Sequence, residues 1–489
     1  MKILEEHVYK QILVLSILVF IGVHLIYINL PPCSIHVWRQ CNTLAVAQNF
    51  YDEGLNILEP RVDRRFDSNG ITGTAFPLYE WVLALIYKVI GVHKWVPRLF
   101  SLAITVTMFV FSFLFLKNIT TNKIVAAVSC SLLLWSPEIF YQSINALPDL
   151  LALCCGFISL YFITNRDKNT TTLFASYFFL ALSGLVKMQY LMIGIFHLIE
   201  MINNYFFQRN MNSIVFLQIF LGVMCLMLVF SWYHYSLGLI EESNLRDFGI
   251  EIRSACNLTD AYKTIKKNTI SDFPELVFGF ANTLVILLGI YFSQKNWKHH
   301  YFISFAILIG IYITYHLLEL RQMDVHHYYM MPIYFSSLAL LYQGISFLMQ
   351  KRFTFIILFL LLLQPALACV RIIPARWGKS DLGISSTFSD EKKLNELKRN
   401  IPANAKVIAG PDESGCIYLY FLHKKGFGYE RAFQLSTFNN GKPLIEDYIH
   451  RGAAYLITSN ESDVKNDTLV TYYHEIKKLN EFYIIQLKK

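Results

Sequence analysis

Residues 213–234 read SIVFLQIFLGVMCLMLVFSWYH, a run without a single Lys, Arg, Asp or Glu. A helix needs about 20 mostly apolar residues to cross the hydrocarbon core of a bilayer, so this run is long enough to span one. Similar runs recur up to about residue 372, and 54% of the 489 residues are hydrophobic while only 16% are charged. Soluble domains carry about 25% charged residues. The pattern predicts a polytopic, all-α membrane protein, because a bilayer is the solvent that suits so many consecutive apolar windows.

We place eleven spanning helices in this part of the chain. The predicted spans are 11–30, 97–116, 124–142, 149–165, 171–187, 189–206, 213–234, 274–293, 301–318, 329–349 and 353–372. The apolar run 77–92 is excluded, because it is about 15 residues long and contains Glu80 and Lys88, which fits an interfacial helix better than a span.

With that run excluded, every short inner segment contains Lys or Arg, as the positive-inside rule requires. The inner segments are 1–10, 117–123, 166–168, Arg209, 295–300 and 351–352. The N-terminus is then cytoplasmic, and an odd number of spans places the C-terminus on the outer side. The net charge of +8 lies in these short loops, so we expect no nucleic-acid partner.

The outer segments include a long first loop, 31–96, and a tail in which charged residues return. We therefore predict two domains: a transmembrane module over 1–372, whose first outer loop has surface helices, and a small periplasmic or extracellular α/β domain over 373–489. In the tail, Asp390 and Glu391 are typical of a helix start. Strands are predicted at 406–409, 417–422, 454–458 and 482–487, and a helix at 444–450.

Ionisable side chains recur at predicted outer helix ends, at Asp149, at Lys187 and between Arg321 and Tyr329. Ionisable groups at membrane depth are costly and usually face a cavity or a partner. Basic groups at one leaflet boundary suit a lipid phosphate, and a carboxylate beside them suits a general base for a hydroxyl group. Simpler roles stay open, because Lys187 can extend to the interface and Asp149 can cap a helix.

The first outer loop has its own pattern. Leu44, Ala47 and Tyr51 recur at helical spacing, and a charged stretch with Asp63 follows. A long loop of this kind, with helices rather than low-complexity sequence, is usually functional.

Several short motifs occur in a characteristic order. They are Trp38-Arg39-Gln40 with Thr43, Ala47 and Asn49-Phe50; Phe76-Pro77-Leu78-Tyr79; Gly91 followed by Arg98-Leu99; Pro148-Asp149; Lys187; and His326 with Tyr328-Tyr329. In order and spacing they resemble the polytopic GT-C glycosyltransferases, in the bacterial family-39-like branch of protein O-mannosyltransferases and aminoarabinose transferases. The motifs cover most of residues 35–190 and a short patch near 326.

The resemblance implies a glycosyltransferase that takes a monosaccharide from a polyprenyl phosphate at the outer face of the bacterial inner membrane. The acceptor would be a hydroxyl group of a glycan, a lipid or a protein. The residues that we assign to the donor phosphate are Lys187, Arg98, His326, His327 and Tyr328, and further active-site candidates are Arg39, Asn42, Tyr79, Asp149 and Arg321; His327 and Arg321 are included for their place at an outer helix end. No cofactor is assigned. A divalent metal is left open, although no metal-ligand spacing is present.

The chain departs from the related pattern at two acids. The pattern usually has an acid where this chain has Asn42, and another just before Phe76, where this chain has Thr74 and Ala75. The general base is therefore assigned to Asp63, with Asp52 as the second choice. Two alternatives stay open: a transporter or flippase of lipid-linked glycans, and a catalytically degenerate, non-enzymatic relative.

Overall fold

A computed structural model describes residues 2–66, 68–165, 169–207, 212–245, 257–292, 299–378, 382–412, 414–439 and 441–488. The predicted inner segments 166–168 and Arg209, and most of 295–300, lie outside these ranges. The structure is mostly helical with a small sheet near the C-terminus, which confirms the predicted fold class.

The α-helices, numbered in chain order, are α1 (Lys2–Leu25), α2 (Val37–Glu53), α3 (Leu78–Ile90), α4 (Trp95–Ile119), α5 (Lys123–Leu134), α6 (Pro137–Gln142), α7 (Asp149–Ile163), α8 (Thr170–Val186), α9 (Gly194–Phe207), α10 (Asn212–Ser243), α11 (Leu258–Lys267), α12 (Phe280–Tyr291), α13 (His299–Leu318), α14 (Leu320–Met323), α15 (Tyr334–Gln350), α16 (Thr354–Ile372), α17 (Ser386–Ser389), α18 (Glu391–Arg399), α19 (Ile417–Leu422), α20 (Leu444–His450), α21 (Glu461–Val464) and α22 (Asp467–Val470). The 3₁₀-helices are Met188–Ile193, His327–Ile333 and Gln434–Ser436, and the π-helices are Asn268–Val277 and Ile373–Trp377. The strands are β1 (Val407–Gly410), β2 (Gly426–Gly428), β3 (Phe438–Asn439), β4 (Lys442–Pro443), β5 (Tyr455–Thr458), β6 (Tyr473–Leu479) and β7 (Phe482–Leu487).

Six helices of the described ranges are long and apolar enough to cross a membrane, or seven if a bent pair counts as one span. They are Glu6–Leu25, Trp95–Ile119, Ser213–Ser243, Tyr301–Leu318, His327–Gln350 and Thr354–Trp377. The chain is therefore a multi-pass membrane protein, but the predicted count of eleven is not confirmed. Several predicted spans are shorter helices, and the predicted span 124–142 is interrupted between α5 and α6, where Pro137 cannot continue the helix.

The chain divides into two compact units. The first, which we call the membrane unit, comprises Met1–Ile28, Arg98–Tyr235 and Ile250–Ala375. The second, the loop–tail unit, comprises Asn29–Pro97, Ser236–Gly249 and Arg376–Lys489. The domain boundary predicted at residue 372 keeps the first outer loop with the membrane helices, whereas in the structure this loop packs with the tail.

Close helix packing in the membrane unit depends on small residues. A Cβ atom on Gly344 would lie 2.2 Å from the backbone oxygen of Val285, and one on Gly289 would lie 2.0 Å from the backbone oxygen of Leu340. Helices α12 and α15 therefore approach at glycine, as helices in membranes commonly do.

In the loop–tail unit, five strands form a mixed sheet in the order β2-β1-β5-β7-β6. Strand β1 is parallel to β2 and β5, and β7 is antiparallel to β5 and β6. Successive residues of β1 point to opposite faces, so Val407 enters one buried cluster and Ile408 another. The first cluster also contains Val37 and Cys41 from α2, so the outer loop covers one face of the sheet.

One strand prediction is wrong. Residues 417–422 form α19 and not a strand, although the strands predicted near β1, β5 and β7 and the helix α20 are confirmed. The run IYLYFL is apolar at almost every position, so its periodicity cannot separate a helix from a strand. The Asp412 carboxylate stabilises the first turn of the helix, because its Oδ2 accepts a hydrogen bond from the backbone N–H of Tyr418 (3.2 Å).

The first outer loop also extends the sheet edge. Arg64 pairs with Gly426 in a parallel bridge beside β2. The backbone N–H of Arg65 donates to the oxygen of Gly426 (2.9 Å), and the N–H of Gly426 donates to the oxygen of Asp63 (3.0 Å). An open strand edge carries unpaired backbone groups, and this segment satisfies part of that edge.

Candidate functional site

Lys187 lies at a break between two helices of the membrane unit. It follows the end of α8 with an extended backbone (φ −153°, ψ 110°), and the 3₁₀-helix Met188–Ile193 begins directly after it. The Tyr233 hydroxyl accepts from the N–H of Met188 (3.0 Å) and donates to the carbonyl of Leu185 (3.4 Å). Tyr233 thus forms hydrogen bonds on both sides of the break, to the residues at positions 185 and 188. These bonds restrict the backbone position of Lys187.

Asp149 is the first residue of α7 and lies beside Lys187. The Lys187 Nζ is 3.5 Å from the Asp149 Oδ1, with side-chain exposures of 10% and 1%. A carboxylate at a helix N-terminus and an ammonium at a helix C-terminus are both favoured by the helix dipoles. Neither carboxylate oxygen accepts a hydrogen bond from the described part of the chain. The pair therefore has unused acceptor capacity in a buried position.

Two tyrosine rings lie close to the Lys187 ammonium group. Lys187 Nζ lies 5.8 Å from the ring centroid of Tyr328 and 5.3 Å from that of Tyr329, within the range of cation–π attraction. The His326 ring stacks on both tyrosines, with centroid distances of 5.3 and 6.0 Å. We refer to Asp149, Lys187, His326, Tyr328 and Tyr329 as the Lys187 cluster. It joins three segments that are far apart in sequence.

Arg98 is buried near the same segment. Its Nη1 donates to the carbonyl of Ile144 (3.1 Å), five residues before Asp149, and the Ser101 hydroxyl donates to the carbonyl of Asn145 (2.7 Å). Two contacts from α4 thus hold the connection that leads into α7. Arg321, by contrast, is exposed on α14.

A second polar cluster of the membrane unit was not foreseen from the sequence. Asp272 is buried, with Oδ1 3.9 Å from the Nε2 of His327 and Oδ2 3.9 Å from the Nζ of Lys267. Lys267 also donates to the Asp324 Oδ1 (2.9 Å). His327 therefore faces a carboxylate. The signal in the sequence was the helical spacing of Asn268 and Asp272, both of which are buried, in the segment 235–273 between two predicted spans.

The predicted base Asp63 lies in the loop–tail unit and is 4% exposed. Its Oδ1 accepts from the Asn49 Nδ2 (3.0 Å) and from the Lys425 Nζ (2.5 Å). Lys425 also contacts the Asn49 side chain. Asp63 is thus engaged with the strand that follows α19.

The other outer-loop candidates have different surroundings. Asp52 is exposed, and its Oδ2 lies 3.4 Å from the Nε2 of His423. Partial burial lowers the pKa of His423, and the neighbouring Lys425 adds to this effect. Asn42 is buried and Arg39 half-buried on α2, and the Tyr79 hydroxyl donates to the carbonyl of Pro97 (3.3 Å).

Burial raises the pKa of the thiols of Cys41 and Cys416 in the loop–tail unit. Both are free cysteines. Their protonated thiols are poor nucleophiles, so thiolate chemistry is not supported here. Across the described ranges, no three His, Cys, Asp or Glu side chains come together as a metal site.

The comparisons with known proteins agree with this architecture. Residues 74–234 match the family model described as dolichyl-phosphate-mannose-protein mannosyltransferase. No curated protein matches the sequence. Arabinofuranosyltransferase AftD from Mycobacteria aligns with a TM-score of 0.56 and 13% identity, over 98% of this chain and 40% of that one.

The archaeal oligosaccharyltransferase AglB from Archaeoglobus fulgidus, solved with an inhibitory peptide and a dolichol-phosphate, aligns with a TM-score of 0.51 and 10% identity, over 98% of this chain and 74% of that one. ArnT from Cupriavidus metallidurans aligns with a TM-score of 0.47 and 10% identity, over 96% of this chain and 97% of that one. The chain has the fold of the GT-C glycosyltransferases, and over residues 74–234 it resembles their protein O-mannosyltransferase branch.

Proposed function

We propose that this chain is a membrane glycosyltransferase that transfers a monosaccharide from a polyprenyl phosphate to a hydroxyl group of an acceptor. The observation that carries the proposal is the buried Lys187–Asp149 pair with the rings of Tyr328 and Tyr329. A phosphate group leaves in this reaction, and a fixed ammonium group in a water-poor site stabilises its developing charge strongly.

In the proposed reaction, the acceptor oxygen attacks the anomeric carbon and the bond from that carbon to the phosphate oxygen breaks. The phosphate keeps the electron pair, and a base takes the acceptor proton. Lys187 binds the phosphate oxygens, with His326 and His327 as further donors and Arg98 as a support of the segment before Asp149. Asp149 orients Lys187 and balances its charge in the resting protein.

Asp63 is proposed as the base, with Asp52 second. Asp63 also has a second possible role in stabilising the fold, because it accepts hydrogen bonds from Lys425 and Asn49. Asp52 is more accessible. We propose that the reaction takes place at the outer face of a bacterial cytoplasmic membrane, with a glycan, lipid or protein acceptor.

The relatives support a lipid-phosphate donor. The matching family model describes enzymes that use dolichyl-phosphate-mannose. The AglB structure contains a dolichol-phosphate together with a peptide. This chain retains the Pro148-Asp149 and Lys187 elements of the resemblance within the matched residues 74–234.

The test uses purified full-length protein in lipid nanodiscs with polyprenyl-phosphate sugars extracted from a bacterial host. Release of free polyprenyl phosphate is measured by mass spectrometry. We expect release with the unmodified protein and a loss of about 10²–10³-fold in Lys187→Ala, a typical effect of removing one donor to a developing anion. The matched control is Lys351→Met, which removes an exposed lysine at the end of α15.

No release from any lipid-linked sugar would contradict the proposal. Transfer of the intact lipid-linked sugar between leaflets without release would favour a flippase. Appearance of activity only in Asn42→Asp would favour a degenerate relative.

A further inference from the structure

The helix α11 has an exposed apolar stripe. Leu258, Tyr262 and Ile265 are 91%, 67% and 37% exposed, and their spacing of four and three residues places them on one side of the helix. The Asn257 side chain caps the helix by accepting from the N–H of Asp260 (2.9 Å). Exposed Lys266 flanks this stripe, and exposed Lys263 and Asp260 lie further round the helix.

The direction of this helix is set by a bend. The chain turns by 115° between Leu258–Val277 and α12. Gly279 lies at the bend with φ +81°, and a Cβ atom there would lie 2.4 Å from the Nε2 of Gln364. Only glycine fits both restrictions, because other residues rarely adopt this backbone conformation.

Helix α12 is apolar and packs beside a candidate span. It packs against α15 through Gly289 and Gly344, and α15 belongs to a candidate span. Its outer surface exposes Phe280, Leu284 and Leu287, all at 54% or more. The segment Leu258–Val277, at 115° to α12, therefore runs across the direction of α12 and not along it.

We propose that α11 lies in the headgroup layer of an anionic phospholipid membrane. Leu258, Tyr262 and Ile265 insert between the acyl chains, and Lys263 and Lys266 bind lipid phosphates. The charged residues of α11 exclude a position in the hydrocarbon core, and its exposed apolar stripe suits the boundary between the acyl chains and the headgroups. A basic helix with one apolar side has the composition of a membrane-surface helix.

Helix α11 is connected by hydrogen bonds to the segment that contains His326. Lys267, the last residue of α11, donates to the backbone oxygen of Asp324 (2.6 Å) and to its Oδ1 (2.9 Å). Asp324 precedes His326 by two residues. The lipid-bound helix thus helps to fix the height of the His326 segment in the membrane.

The test measures depth directly and does not depend on enzymatic activity. Leu258→Cys and Tyr262→Cys are each labelled with the polarity-sensitive fluorophore NBD in nanodiscs that contain phosphatidylglycerol and phosphatidylcholine. The matched control is Asp260→Cys on the same helix, and unmodified protein treated in the same way measures background labelling. We expect blue-shifted emission and quenching by nitroxide-labelled phospholipid at positions 258 and 262, and water-like emission at position 260.

Water-like emission at both 258 and 262 would overturn the proposal. Blue-shifted emission without lipid quenching would also overturn it, since a protein surface would then cover the stripe. Lys263→Gln with Lys266→Gln should reduce quenching in phosphatidylglycerol nanodiscs and have no effect in pure phosphatidylcholine. Equal quenching with and without the two lysine substitutions, in both kinds of nanodisc, would overturn the role assigned to anionic lipid.

Discussion

Asp149 and Lys187 form an ion pair in which the carboxylate is 1% exposed and the two charged atoms are 3.5 Å apart. Removal of one partner leaves the other charge buried, which typically costs about 3–5 kcal/mol. We therefore expect Asp149→Asn to lower the thermal midpoint in detergent and to reduce polyprenyl phosphate release. Thermal unfolding and the release assay measure the two effects on the same sample.

A double variant separates the role in folding from the role in activity. Asp149→Asn with Lys187→Met removes both charges, so the midpoint should recover toward that of the unmodified protein while release stays lost. Recovered release in the double variant would contradict a phosphate-binding role for Lys187.

The contact between Asp63 and Lys425 allows a test of whether Asp63 acts as the base or only stabilises the fold. Their separation of 2.5 Å, with Asp63 almost fully buried, indicates a structural bond. If Asp63 is also the base, Asp63→Asn should abolish release, whereas Lys425→Met should lower the midpoint and retain part of the release. Equal losses of release and of thermal midpoint in both variants would assign Asp63 to the fold alone.

His423 predicts acid sensitivity of the loop–tail unit. Its pKa is lowered in the folded state, so the unfolded chain binds more protons just below its ordinary pKa of about 6.5, and stability falls as pH drops through that value. His423→Asn should flatten the fall in thermal midpoint between pH 7 and pH 5. Asparagine suits the site because residue 423 has φ 53°, a left-handed conformation that Asn tolerates. An unchanged pH profile would rule out His423 as the cause.

The close packing at Gly344 predicts that one added methyl group lowers the stability of the protein. Gly344→Ala would place a Cβ atom against the backbone of α12, and overpacking of this kind costs about 1–3 kcal/mol. The expected result is a lower thermal midpoint. Gly310→Ala is the matched control, because nothing lies within 4 Å of its added Cβ atom. Similar midpoints for the two variants would show that the helices can separate without cost.

The candidate site was foreseen in part. Asp149, Lys187 and His326 were singled out because ionisable residues at membrane depth are costly, and the structure brings them together around Tyr328 and Tyr329. Asp272 escaped notice, because its burial depends on how the π-helix Asn268–Val277 packs in the membrane unit. Tyr233 was missed for the same reason, since its two hydrogen bonds reach a segment about 45 residues away along the chain.

Local properties of the chain were sufficient to predict a multi-pass membrane protein, a helix at 444–450 and three of the tail strands. Apolar run length, turn residues and charge placement each act over a few residues, so they can be seen in the sequence alone. The conformation of 417–422 and the association of the first outer loop with the tail depended on distant partners. The buried residues of α19 pack in one cluster with Val37 and Cys41 of α2, and the backbone groups of Gly426 bond to Asp63 and Arg65, so only folding brings these partners together.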